Sequence, residues 1–178
     1  DGSKDVFPCD PGADMLDGGA GIDTADYSGS DDGVTVALDG SLGVGGDAEG
    51  DSYISIENLI GSGNGDTLTG NAGANLLQGG AGDDILDGGA GNDTLQGGTG
   101  DDILTGGAGA DIMDGGSGID TISYASSASG VTAHLDGTVG VGGDAQGDII
   151  TNAEILEGSA FADTLFGRTG ADTLLGGA

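Results

Sequence analysis

Between residues 79 and 123 a glycine-dense polar stretch and a single large apolar residue alternate with a nine-residue period. The run reads GGAGDDILD, GGAGNDTLQ, GGTGDDILT, GGAGADIMD and GGSGIDTIS. Leu86, Leu95, Leu104, Met113 and Ile122 hold the eighth position, and Asp84, Asp93, Asp102, Asp111 and Asp120 the sixth. The frame extends backwards through GNAGANLLQ from 70, GSGNGDTLT from 61 and Ser52 to Ile60, which makes eight continuous repeats over 52 to 123. In these, Asn75, Asp66 and Glu57 are sixth, and Leu77, Leu68 and Leu59 eighth. A tripeptide with one apolar centre is too short for a helix and suits a minimal strand. The preceding hexapeptide suits a tight turn, because glycine reaches positive φ without a Cβ clash. The pattern therefore predicts turn, strand, turn, strand. Two repeats make a coil of 18 residues, so alternate repeats fall into two facing parallel sheets with strands ~4.8 Å apart. Position-eight side chains then stack inward as a thin apolar ladder.

A second, longer period lies above the first. Asp23-Thr24 and Tyr27 match Asp120-Thr121 and Tyr124, and Gly45-Gly46-Asp47-Ala48 match Gly142-Gly143-Asp144-Ala145, each at an offset of 97 residues. The chain reads as one array over 1–178 built of near-duplicate units, about 1–97 and an incomplete 98–178. Each unit carries an excursion, 24–51 and 121–148, with a β-like stretch from Val34 to Leu38 or from Val131 to Leu135. Short strands on loops, not helices, are expected there.

Composition changes this picture in one respect. The 178 residues include 43 glycines, 31 acidic and only two basic residues, for a net charge of -29. A collagen-like fibre is excluded, since glycine does not recur every third residue and there are two prolines. Like charges and few large side chains oppose compaction, so folding requires that the charge be neutralised. Nucleic acid and anionic membranes are poor partners for a chain without clustered Lys and Arg, and no apolar run approaches a membrane span. The start, Asp1-Gly2-Ser3-Lys4, does not read as a signal peptide, and the closing Gly176-Gly177-Ala178 reads as a truncated repeat. The chain is therefore expected to be a piece of a longer secreted protein.

Cations are the natural counter-charge. Stacked turns bring position-six carboxylates close together, where like charges at 4 Å repel by ~1 kcal/mol even in bulk water. Carboxylates and exposed turn carbonyls offer oxygen alone, which suits calcium, a hard cation taking six to eight oxygens. Magnesium prefers a stricter octahedron, and zinc would use His or Cys. Several calcium ions, about ten at one per acidic turn, would offset most of the charge and make calcium part of the fold.

Five consecutive matches to GGxGxDxUx, U being a large apolar residue, resemble the hemolysin-type, or RTX, calcium-binding repeats of bacterial secreted proteins. The motif is tight over 79–123 and looser over 10–23, 52–78 and 158–178. The resemblance implies an all-β protein, a right-handed parallel β-roll (two-sheet β-solenoid) with inserted loop excursions and calcium between turns. It implies as metal ligands the carboxylates of Asp14, Asp23, Asp66, Asp84, Asp93, Asp102, Asp111, Asp120, Asp163 and Asp172. It also implies the turn carbonyls of Gly80, Gly82, Gly89, Gly91, Gly98, Gly100, Gly107 and Gly109. Missing or altered ions are expected at Asn75 and Glu57, and near the N-terminus, where Lys4, Phe7, Pro8 and Cys9 displace the glycines.

Other readings of the same residues are weaker. Asp47 to Asp51 is a poor EF-hand loop, because Ser52 replaces its glycine and Asn58 its final glutamate. No P-loop lysine follows the glycine turns. His134 has Ala37 as its counterpart in the other unit and is expected on a loop or surface, while Cys9 is expected to be a free thiol. Paired carboxylates could serve a glycosidase, but no aromatic-lined sugar pocket is evident, and Tyr27 and Tyr124 are expected to cover an edge of the roll. No catalytic residues are assigned. The expected function is a structural module that folds on calcium outside the cell. Alternatives are a filament, adhesin or surface-layer repeat that associates end to end, and an accessory module of a secreted enzyme.

Overall fold

The computed structural model describes residues 3–177; Asp1, Gly2 and Ala178, on which the readings of the two chain ends partly rest, lie outside them. Most strands are three residues long, as a single inward-facing side chain per repeat dictates. The first sheet has seven parallel strands in the order Val6–Pro8, Thr24–Asp26, Asn58–Ile60, Leu76–Ala81, Thr94–Thr99, Ile112–Ser117 and Ile149–Thr151. The second also has seven: Thr35–Ala37, Thr67–Thr69, Ile85–Asp87, Ile103–Thr105, Thr121–Ser123, Ile155–Glu157 and Thr173–Leu175. Two further parallel pairs join Met15–Asp17 to Ser52–Ile54 and Thr132–His134 to Thr164–Phe166.

Successive repeats over 58–123 alternate between the two sheets, and each strand pairs with the one 18 residues on, for example Leu77 with Leu95 and Leu86 with Leu104. The core between the sheets is the predicted ladder: Leu59, Leu68, Leu77, Leu86, Leu95, Leu104, Met113 and Ile122 are all fully buried in one cluster. The protein is a parallel β-roll.

At the excursions the coil lengthens while the pairing persists. Thr24 pairs with Asn58, Thr35 with Thr67 and Met15 with Ser52. The same three links recur as Thr121 with Ile155, Thr132 with Thr164 and Ile112 with Ile149. A strand and its counterpart 97 residues on can lie in opposite sheets: Thr24–Asp26 is in the first and Thr121–Ser123 in the second. Each excursion has the expected strand and also a short 3-10 turn, Gly46–Ala48 or Gly143–Ala145, that buries Ala48 or Ala145. Tyr27 and Tyr124 do not cover an edge. Both are buried in the core, because their hydroxyls find partners inside it.

Candidate metal centres

The position-six side chains lie beneath the turns and turn inward. Asp23, Asp66, Asp84, Asp93, Asp102, Asp111 and Asp120 are buried, Asp163 and Asp172 are half-buried, and Asp14 is exposed. In the regular run one carboxylate oxygen ties two coils together. Oδ1 of Asp84, Asp102 and Asp120 accepts the N–H of Asp66, Asp84 and Asp102 at 2.8, 2.9 and 2.9 Å. On the other side of the coil, Asp93 and Asp111 accept from Asn75 and Asp93 at 2.8 Å. These are charge-assisted bonds, worth about 1.5–3 kcal/mol each.

The other oxygen has no such partner. Oδ2 of Asp23, Asp84, Asp93, Asp102, Asp111, Asp120 and Asp163, and Oδ1 of Asp172, are buried without a hydrogen bond. A buried, unpartnered carboxylate oxygen costs several kcal/mol unless a proton or a cation satisfies it. Its surroundings are oxygen. A Cβ on Gly97, the first residue of its repeat, would stand 2.3 Å from Asp102 Oδ2 and 2.5 Å from the carbonyl oxygen of Gly115. Glycine is needed there because the carboxylate occupies the side-chain space.

Turn carbonyls of one coil face the glycines of the next. A Cβ on Gly98 would meet the oxygen of Gly80 at 2.1 Å, and one on Gly107 that of Gly89 at 2.0 Å. The oxygens of Gly82 and Gly91 face Gly100 and Gly109 in the same way, and those of Gly98 and Gly100 face Gly116 and Gly118. Gly107, at φ 89°, is the second residue of its repeat, and Gly109 the fourth.

Burial pushes the carboxyls up. Loss of hydration is the main cause, opposed by the N–H bond and reinforced by neighbouring carboxylates. Asp84 rises to about 7 and Asp93 to about 6, and Asp102, Asp111 and Asp120 shift the same way. A divalent cation beside them would reverse this by favouring the ionised form. Among the described residues no three His, Cys, Asp or Glu side chains gather into one cluster, so an ion held here would need main-chain oxygens as well. That donor set fits calcium and not zinc. The sole histidine, His134, is instead stacked on Phe166 with ring centroids 4.4 Å apart. Cys9 is a free thiol, pushed up to about 11 by burial.

Sequence reasoning missed two members of the set. Asp51 and Asp148 are buried, and their Oδ1 atoms accept the N–H of Asp14 and of Asp111, both at 2.8 Å. Each precedes a strand, Ser52–Ile54 or Ile149–Thr151, as position-six residues do. The signal was present in GDAEGDSYI from 46 and GDAQGDIIT from 143, which fit the nine-residue frame when each is read as a repeat overlapping the next. Glu57 and Glu154 take the same linking role with a longer side chain, accepting from the N–H of Asp23 and Asp120 at 2.8 and 3.0 Å.

The fold and its carboxylate-lined turns define a calcium-binding-type repeat solenoid. The comparison with known families agrees: four copies of the RTX calcium-binding nonapeptide repeat match residues 10–25, 60–95, 87–122 and 151–178. These cover more than half of the chain, which belongs to that family. A comparison with curated proteins gave no match. Among the described residues no helix is long and apolar enough to cross a membrane.

Proposed function

We propose that this chain is a calcium-gated folding module of a secreted bacterial protein, non-catalytic, forming a single array of two near-duplicate units, about 1–97 and an incomplete 98–178. Its ligands are position-six carboxylates of the Gly-Gly turns, completed by turn carbonyls such as those of Gly80, Gly82, Gly98 and Gly100. The observation that carries this reading is the recurrence of one buried, unpartnered carboxylate oxygen at every turn of the regular run. Without a counter-ion these carboxylates repel one another and resist burial. With calcium, the ions bind only the folded arrangement and pull the chain into it. A chain of net charge -29 is then extended where calcium is scarce and compact where it is millimolar, which separates export from folding.

Circular dichroism tests this directly. Far-UV spectra should show β structure in several millimolar calcium and lose it in excess chelator, reversibly. Equal β content in both conditions would overturn the reading.

A further inference from the structure

The turns are of two kinds, separated by whether the N–H of the repeat's second residue bonds the position-six side chain. In the six turns that open with Gly-Gly and end in Asp23, Asp84, Asp93, Asp102, Asp111 or Asp120, that residue is left-handed. Its φ runs from 75° at Gly19 to 117° at Gly98. Each of these turns leaves its Oδ2 unpartnered.

Three other turns have Ser62, Asn71 or Arg168 at this place. None is left-handed: among the described residues the non-glycines at positive φ are Ser55 and Asn152. Their N–H groups point into their own turns. Ser62 donates to Asp66 Oδ2 at 2.6 Å, Asn71 to Asn75 Oδ1 at 2.8 Å and Arg168 to Asp172 Oδ2 at 2.7 Å.

Each closed turn also carries an extra donor. The Ser62 hydroxyl bonds Asp66 Oδ1 at 2.9 Å, and Asn75 Nδ2 donates to the carbonyl of Glu57 at 2.7 Å. The Arg168 guanidinium pairs with Glu154 through Nη2 and reaches Asp172 Oδ1 at 3.4 Å through Nε. The turn at Ser159 shows that a hydroxyl alone does not close the site. There Oγ bonds Asp163 Oδ1 at 2.7 Å, yet Oδ2 stays unpartnered.

We propose that the N–H of residue two decides ion occupancy: turns in which it does not bond the position-six side chain, the Gly-Gly turns among them, are open to calcium, whereas the turns of Ser62, Asn71 and Arg168 are closed by their own donors. Arg168 acts as the resident cation of its turn. This rests on the calcium reading above and narrows it, since Asp66 and Asp172 then stand outside the ligand set.

The test counts calcium ions bound to the full chain by calorimetric titration, with circular dichroism confirming the fold. Ser62→Gly and Arg168→Gly, which restore Gly-Gly, should each add one ion to the wild-type count, and Arg168→Lys should add none. Folded glycine variants with the wild-type count would overturn the proposal. Should the glycine variants not fold, the carboxylates decide. Asp66→Asn should leave the count unchanged while Asp102→Asn lowers it, and a lower count in Asp66→Asn would overturn the proposal. A wild-type chain that binds no calcium sinks the calcium reading itself, and that result is evident before any variant is made.

Discussion

The regular run over 79–123 and the two excursions bury the same group in different ways. In both, one carboxylate oxygen takes the N–H of the preceding coil. In the regular run the second oxygen is unpartnered. In the excursions it accepts a phenol: Tyr27 Oη donates to Asp51 Oδ2 and Tyr124 Oη to Asp148 Oδ2, both at 2.8 Å. Burial and the adjacent carboxylates push both phenols up strongly, so they remain protonated donors. The contrast teaches that the link between coils and the satisfaction of the second oxygen are separable. The regular run supplies the first and leaves the second open, whereas each excursion provides a tyrosine for it.

The largest expected effect comes from removing that tyrosine hydroxyl. Tyr124→Phe leaves Asp148 Oδ2 buried and unpartnered, at an expected cost of about 1–3 kcal/mol. The denaturant midpoint in saturating calcium should fall, while the ion count holds. An unchanged midpoint would erase the contrast between the two regions.

Next come the carboxylates themselves. Asp102→Asn should raise the calcium concentration for half-folding roughly tenfold, or ~1.4 kcal/mol. Asp148→Asn should move it less than about twofold, because its oxygens already have protein donors.

Acidity should separate calcium from chelator. Asp84 and Asp93 are raised to about 7 and about 6, above the value near 3.8 that they have when unburied. Their folded state is therefore favoured fully below the unfolded value, and that advantage is lost as pH rises through 6 to 7. In chelator, β structure should grow on acidification from pH 7 towards 5, whereas in limiting calcium the same change should weaken ion binding, which needs the ionised carboxyl. Dichroism followed against pH in both conditions reads the two signs, and identical profiles would contradict the assignment. The smallest effect belongs to Glu57→Gln, which keeps an oxygen for the N–H of Asp23. It should cost less than about 1 kcal/mol by thermal melting.

The apolar ladder was fully legible in the sequence, because a side chain every nine residues has one way to face a common core. The carboxylates were legible as a set, but their principal bond was not. An Oδ1 that reaches an N–H 18 residues away depends on turn backbone that no residue pattern displays. For the same reason Asp66 and Asp84 look alike in sequence, although the Ser62 N–H bonds Asp66 Oδ2 while left-handed Gly80 leaves Asp84 Oδ2 unpartnered. Asp51 and Asp148 went unrecognised as position-six residues because their nonapeptides overlap the next repeat. The tyrosines were misplaced at an edge because a phenol in an excursion gives no sign of a buried carboxylate partner contributed 24 residues later.

In the regular run the bond to the position-six carboxylate runs one way, from the N–H of an earlier coil to the Oδ1 of a later one, while Asp101 and Ile119 donate the other way, to Asp83 and Asp101. A cut between any two coils of that run therefore exposes the same pair of mating faces, like a stack of identical cups. Whole coils can be inserted, deleted or copied at such a seam without inventing new chemistry, even when the copy lands in the opposite sheet, as Thr121–Ser123 does relative to Thr24–Asp26. In evolutionary terms, the seam is a place where recombination is structurally neutral, and a nearly repeated unit of 97 residues is what such a seam permits.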